Sequence, residues 1–550
     1  MPRDDRADPI RRPERASPAP ARRTFFALAI LTLASLALRV VFFNAYTFEG
    51  TDCDGAAYMN LARNIAGGAG WVTNSLRFLF LLPPSLPQPD AHWSPLYPLL
   101  TSASYAAFGD SFTSAKLVPL LFGALVPGAI FLLTAKLARS WTAACIAGAL
   151  AVFHVTLATW SMRIETEIAS TFLVALTFFV LANDRTAARP YWLGAITGLA
   201  YLMKYQSLLL WAPVILFYAL NVPWRTAAKH LAIAGVVFIV TISPWLVRNV
   251  VTFGNPFYTD LRYNMISYYP EFGGEPRYLS SLTVPVSAFG YMSTHVVTVL
   301  KYARQTLEVL TTGFFRENRG SVLLIPFVLV GLVPALRAWR RWAPVALFAL
   351  VLTAVVSVSI PQVRYLHVLV PFWIALAAAG AGWLLDVVGH RRVSGVPVRL
   401  AVWLVLVVAV ADEARSTALA ARDIKSEWSP SANFCALEAQ AASGFIRDHT
   451  TPSEPVFAPE TFHYALILDR NVIQVPFRED DLRQLGERYH AGYVVITTRD
   501  LRKRLPSWEE TPPPWAHLVL TVPADRIPRP RANPGYGHVS DVRIYELTAR

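Results

Sequence analysis

The sequence predicts a multi-pass membrane protein, all α-helical where it crosses the bilayer, with about eleven transmembrane helices and a small C-terminal soluble α/β domain. Three observations lead there. Of 550 residues, 54% are hydrophobic and only 16% charged, whereas a soluble chain carries about a quarter charged residues. Apolar runs of spanning length recur from residue 24 to residue 412. Beyond them the pattern changes to short strand-like stretches with helical ones between.

A span needs about 20 apolar residues to cross roughly 30 Å of hydrocarbon. Such runs fall at 24–45, 113–135, 141–160, 166–183, 191–203, 206–222, 230–248, 320–338, 342–360, 364–387 and 398–412. The runs 191–203 and 206–222 are short, with Lys204 between them. The first run is too long for the core of a signal peptide, and no small-residue cleavage site follows it, which favours a retained helix.

Orientation follows from the basic residues. Seven arginines lie in the first 23 residues. Threaded from a cytoplasmic N-terminus, alternate gaps hold Lys136 and Arg139, Arg185 and Arg189, Arg225 and Lys229, Arg337 with Arg340 and Arg341, then Arg391, Arg392 and Arg399. That is the positive-inside bias. It puts the C-terminus outside and explains the net charge of +13 as topology rather than a nucleic-acid footprint. The expected organisation is a basic cytoplasmic tail (1–23), a transmembrane domain (24–412) with outer loops 46–112 and 249–319, and an outer soluble domain (413–550).

Within the first outer loop we expect an amphipathic helix over 54–66, a Pro-rich stretch "LLPPSLPQPD" and a second helix over 95–107. The middle loop turns helical over 284–312, as a segment lying in the interface would. In the tail, "EPVFAPE", "NVIQVPF", "YVVITTR", "LVLTVPA" and "VRIYELT" read as strands, with helices near 433–448 and 479–489. No phosphate-binding glycine loop occurs there, so the tail receives no catalytic role.

The chemistry-bearing residues gather at outer helix ends. "TDCDGAAYMNLARN" (51–64) sets Asp52 and Asp54 just past the first span. Thr51 and Asp54 fit a capping box, and acids suit a first helical turn in any case. Lys204, Arg248 and Arg364 lie at outer helix ends beside Tyr205, Trp245 and Tyr365; they suit phosphate binding or ordinary snorkelling equally well. In "SMRIETEIAS", Arg163, Glu165 and Glu167 form a further cluster, with an Arg163–Glu167 pair at i,i+4 as the plain alternative. His92 suits substrate orientation, a metal contact or simple solvation. No His, Cys or Asp spacing demands a metal, and no cofactor is required. Cys53 and Cys435 both fall outside, which leaves a disulfide between them open.

In order along the chain, Asp54 four residues before Tyr58, Pro95-Leu96-Tyr97, "RIETEIASTFLVALTFFVLA", "LGAITGLAYLMKYQSLLLWAP", "ISPWLVRNVVTFGNPFY" and "VRYLHVLVPFWIAL" resemble the GT-C-fold integral-membrane glycosyltransferases. The resembling branch is glycosyltransferase family 39, which includes protein O-mannosyltransferases and the lipid A aminoarabinose transferase. It covers about residues 24–390. Two departures stand out: Gly55 follows Asp54 where many relatives carry Glu, and Trp93-Ser94 stand where some carry Lys.

The resemblance implies an inverting transfer of sugar from a polyprenyl-phosphate donor to a hydroxyl of a glycan, lipid or protein, at the outer face of a bacterial inner membrane. A carboxylate must then take the acceptor proton, and cations must stabilise the phosphate released. Asp54 suits the base, with Asp52 second. Lys204, Arg248 and Arg364 suit the phosphate, with Glu167, Tyr58, His92, Tyr97 and Tyr365 around the substrates. Two rival readings are a transporter or flippase, and a non-catalytic binder of lipid-linked sugars. A transporter predicts repeated halves and midplane charges; neither is visible.

Overall fold

The computed structural model describes residues 18–46, 51–183, 187–283, 286–387, 391–393, 396–428, 434–527 and 539–548. The first 17 residues of the basic tail and Arg185 lie outside them. Among the described residues, five helices are long and apolar enough to cross a bilayer: Ala21–Phe42, Phe112–Leu137, Trp224–Phe253, Trp339–Val358 and Val363–Val387. A sixth forms if Val296–Glu317 and Val322–Arg337, bent by 100°, count as one broken span. Trp141–Phe153, Glu167–Ala182 and Tyr205–Asn221 are shorter apolar helices. By length and composition, five or six of the eleven expected spans are thus present as full-length helices among the described residues, and others are shorter or broken.

The shortening has a local cause. The apolar run 141–160 breaks at His154, whose backbone is extended with ψ 120°. A break inside apolar surroundings is tolerated only where other groups satisfy the freed backbone. Here Glu413, 1% exposed, accepts from Val155 N–H at 3.0 Å and from Ser321 N–H at 2.5 Å. Thr417 donates to the Phe153 carbonyl at 2.9 Å. Both come from the helix Val398–Trp428, which runs on well past residue 412. The first span is anchored in the same way. Arg39, fully buried, donates to Ser161 at 2.9 Å and to the Val152 carbonyl at 3.3 Å.

The C-terminal region is a layered α/β unit built on one six-stranded sheet. Its strands are β1 (Ser75–Leu76), β2 (Val456–Ala458), β3 (Val472–Gln474), β4 (Tyr493–Thr497), β5 (Ala516–Val522) and β6 (Val542–Leu547). The spatial order is β1-β3-β2-β4-β6-β5, with β1, β3, β2 and β4 parallel and β6 antiparallel to both neighbours. All of β4 is buried. Val494 and Ile496 face Leu482, Leu485 and Leu501, while Tyr493 and Val495 face Leu437, Ala442 and Ile446. Helices on both faces explain its unbroken apolar run. The five strands expected in the tail are all present; β1 comes from the loop after the first span, nearly 400 residues upstream. That loop also contributes the helices Cys53–Ala66 and Leu96–Phe108.

Candidate active site

Between the helical bundle, the first loop and the C-terminal sheet lies a cavity of about 520 Å³. One wall is apolar, with Met203, Leu209, Leu352, Val355, Val356 and Ile360. Other lining residues carry charge.

The charged wall starts at the helix Cys53–Ala66. Its N-cap is Asp52, whose Oδ1 accepts from the Gly55 N–H at 2.8 Å. The cap expected at Thr51 is thus shifted by one residue, and Thr51 is buried instead. The shift leaves Asp54 in the first turn, lining the cavity. Gly55 earns its place by close packing: a Cβ there would meet the Thr51 hydroxyl and come within 2.9 Å of the Ile164 carbonyl. With any side chain at 55, this helix start would be pushed away from the bent segment 163–166 that holds Glu165.

Arg364 ties the wall together. Its Nη2 donates to Asp54 Oδ2 at 2.5 Å, its Nη1 to Glu165 Oε2 at 2.8 Å and its Nε to Gln362 at 2.6 Å. A guanidinium has five N–H donors, and beyond these three bonds Arg364 also hydrogen-bonds the neighbouring Tyr365. Glu165 is 2% exposed. Burial, with the charges of Asp52 and Glu167 nearby, outweighs Arg364 and pushes its carboxyl well above the usual range. It therefore holds a proton where an exposed glutamate would not.

A second pair adjoins this one. Lys204 Nζ donates to Glu167 Oε1 at 2.6 Å and lies 4.5 Å from the Tyr365 ring centre. Glu167 thus pairs with Lys204, and the Arg163 guanidinium instead lies 4.6 Å from the Trp160 ring centre. Lys204 is held at a break between helices, because the next residue, Tyr205, is pinned by Ser94, Trp93 and Trp245 at 3.1–3.2 Å. The Trp93-Ser94 dipeptide, where some relatives carry lysine, serves as this clamp.

Seven of the residues expected at the site line the one cavity: Asp54, Tyr58, His92, Glu167, Lys204, Arg364 and Tyr365. Three do not. Asp52 caps its helix. Tyr97 is fully buried behind Tyr58, ring centres 4.9 Å apart. Arg248 is spent elsewhere, donating to the Trp71 carbonyl at 3.2 Å and to Asn249 at 3.0 Å, with Trp245 and Phe253 beneath it. His92 pairs with Asp260 at 2.9 Å, so it is not merely solvated. Beside it Asp90, 3% exposed, is pushed up to about 7 by burial and by Asp260.

The far wall comes from the C-terminal unit: Pro459, Glu460, Thr461, Phe462, Gln474 and Arg504. Arg504 is buried and donates to the carbonyls of Val475 and Pro459 at 2.5 and 3.2 Å. Sequence reasoning missed this wall. The one available signal was the Glu460-x-x-His463 spacing at the start of a helix. Glu460 caps the helix Thr461–Leu468 by accepting from the N–H groups of Phe462 and His463, each at 2.8 Å. His463 reaches back to the Thr51 carbonyl at 3.0 Å. Cys53 lies alongside, and one donor atom from each of Cys53, Glu460 and His463 falls within 4.8 Å of the others. Cys53 and Cys435 are both free thiols, so the disulfide left open by the sequence is not formed.

A membrane-embedded bundle with its charged cavity at the junction of a long first loop and a C-terminal α/β unit defines a class, the GT-C fold. Comparison with solved structures bears this out. ArnT from Cupriavidus metallidurans bound to undecaprenyl phosphate superposes with a TM-score of 0.55, at 14% identity over 96% of this chain and 98% of that one. The archaeal oligosaccharyltransferase AglB from Archaeoglobus fulgidus, in complex with an inhibitory peptide and a dolichol-phosphate, gives 0.58 at 14% identity, over 90% of this chain and 71% of that one. Residues 89–247 match the sequence model of the dolichyl-phosphate-mannose-protein mannosyltransferase family. The chain is thus a GT-C-fold membrane protein carrying that family's sequence over this stretch, as the resemblance implied. No curated protein matches it.

Proposed function

We propose that the chain is an inverting glycosyltransferase that moves a sugar from a polyprenyl-phosphate donor to an acceptor hydroxyl at the outer face of a bacterial inner membrane. The observation that carries this is the Asp54–Arg364 pair in a cavity that is also lined by Met203, Leu209, Leu352, Val355, Val356 and Ile360, apolar side chains able to lie along an isoprenoid chain. Asp54 is the base that takes the acceptor proton as the glycosidic bond forms. Its ion pair with Arg364 fixes the carboxylate's orientation. Arg364 and Lys204 supply the positive charge for the phosphate oxygens that gain charge as the donor bond breaks. Glu165, protonated, adds no negative charge against that phosphate. Glu167 holds Lys204 in place. Asp52 acts on the helix rather than on substrate. The donor class is also supported by the lipid phosphates named in the ArnT and AglB structures.

The test is release and transfer of sugar from a panel of polyprenyl-phosphate sugars by purified protein, wild type against Asp54→Asn and Asp52→Asn. Loss in the first with retention in the second supports the assignment. Equal turnover in both variants and wild type removes it. Solute uptake into proteoliposomes without any sugar transfer favours the transporter, and donor binding without turnover favours the non-catalytic binder.

A further inference from the structure

We propose that Cys53, Glu460 and His463 form a zinc site that bridges the first outer loop and the C-terminal α/β unit. The three come from two distant parts of the chain, yet a donor atom of each lies within 4.8 Å of the other two. His463 is 3% exposed and positioned through both ring nitrogens. Its Nε2 lies 3.0 Å from the Thr51 carbonyl. A carbonyl oxygen only accepts, so Nε2 carries a hydrogen and donates. Its Nδ1 lies 3.1 Å from Glu460 Oε2. With Nε2–H committed, Nδ1 offers a lone pair toward an acceptor-only carboxylate oxygen. Something positive must lie between them: a proton or a cation.

The spacing suits a cation. Zinc bonds nitrogen and carboxylate oxygen at about 2.0–2.2 Å, so a tetrahedral N–Zn–O pair is roughly 3.3 Å apart. The observed 3.1 Å needs little adjustment. The histidine's other nitrogen already donates to a backbone carbonyl, the usual way in which a zinc-bound imidazole is oriented. Cys53 supplies the soft third donor, which favours zinc over magnesium or calcium. Binding balances in charge: Zn²⁺ replaces one proton from the Cys53 thiol and one from His463 Nδ1, and both protons leave to solvent. Cys53 and Glu460 line the cavity, so the fourth position opens toward it and takes water or an anionic oxygen.

The measurement uses full-length protein in detergent, stripped with chelator and then dialysed against Zn²⁺ alone or Co²⁺ alone. One equivalent of zinc is expected to be retained, with a thiolate-to-cobalt charge-transfer absorption in the cobalt form. Cys53→Ser should abolish that absorption and weaken zinc binding at least about tenfold. His463→Gln should weaken binding as much, while Cys145→Ser, altering a thiol on Trp141–Phe153, should change neither. Cys53 faces the cavity, so Cys53→Ser remains informative if His463→Gln does not fold. No retained zinc in the wild type, or full binding in Cys53→Ser, overturns the proposal. None of these readouts depends on sugar transfer.

Discussion

The two charged walls of the cavity are built on different terms. On the bundle side, side-chain cations hold the acids: Arg364 bonds both Asp54 and the protonated Glu165, and Lys204 bonds Glu167. On the C-terminal side the groups belong to an ordinary α/β unit and are satisfied by backbone, as Arg504 is by two carbonyls and Glu460 by two N–H groups. Charge beside a membrane helix is costly enough to demand a partner, whereas a soluble domain absorbs it through caps and carbonyls. The first wall is therefore a poised electrostatic device and the second a scaffold.

That contrast can be broken in several ways. Asp54→Asn should have the largest effect, a loss of about 10²–10⁴ in kcat, read from single-turnover sugar transfer. Arg364→Ala should destabilise the fold by about 3 kcal/mol, the low end for a broken buried pair, because Arg364 is 22% exposed. Arg364→Lys should not rescue it, since a single ammonium cannot reproduce the forked bonds to Asp54, Glu165 and Gln362; unfolding midpoints of the three proteins decide this.

Asp90 sharpens the comparison through pH. Its folded carboxyl is pushed up to about 7, above the unfolded value near 4. The folded state thus holds the proton more tightly. The resulting stability is complete below about pH 4 and is lost as pH rises through 7. Asp260, His92 and Arg248 are the charges around it. Asp90→Asn should flatten the fall in Tm between pH 5 and pH 8 by a few degrees; an unchanged slope would remove Asp90 as its source. Asp52→Ala should cost about 1 kcal/mol as a lost cap with turnover largely kept. Smallest of all, Arg248→Lys should leave the donor KM unchanged, because that guanidinium is spent on a carbonyl and on Asn249.

The same contrast explains what could be read from the sequence. The bundle, the tail strands and the clustering of charges at helix ends were legible because apolar runs and charges beside them are local signals. The break at His154 was not, since its satisfaction comes from Glu413, 258 residues away. Nor was the choice among the three outer cations. Arg364 and Arg248 sit in similar sequence settings, and only the fold brings one of them 2.5 Å from an acid 310 residues distant. The cap differed by one residue because Thr51 and Asp52 are both good cap formers, and close packing at Gly55 decided between them. Glu460 and His463 gave too little signal because acids and histidines are common in soluble domains.

The edge strand Ser75–Leu76 hydrogen-bonds alongside Val472–Ile473. Its complement is synthesised only after the whole bundle has been inserted. The early loop must therefore wait, half-dressed, for the last fifth of the polypeptide to arrive on the same side. Chains cut short before residue 474 would keep their helices but leave this segment without its neighbour. Completion of the cavity thereby becomes a checkpoint on the synthesis of the C-terminal strands.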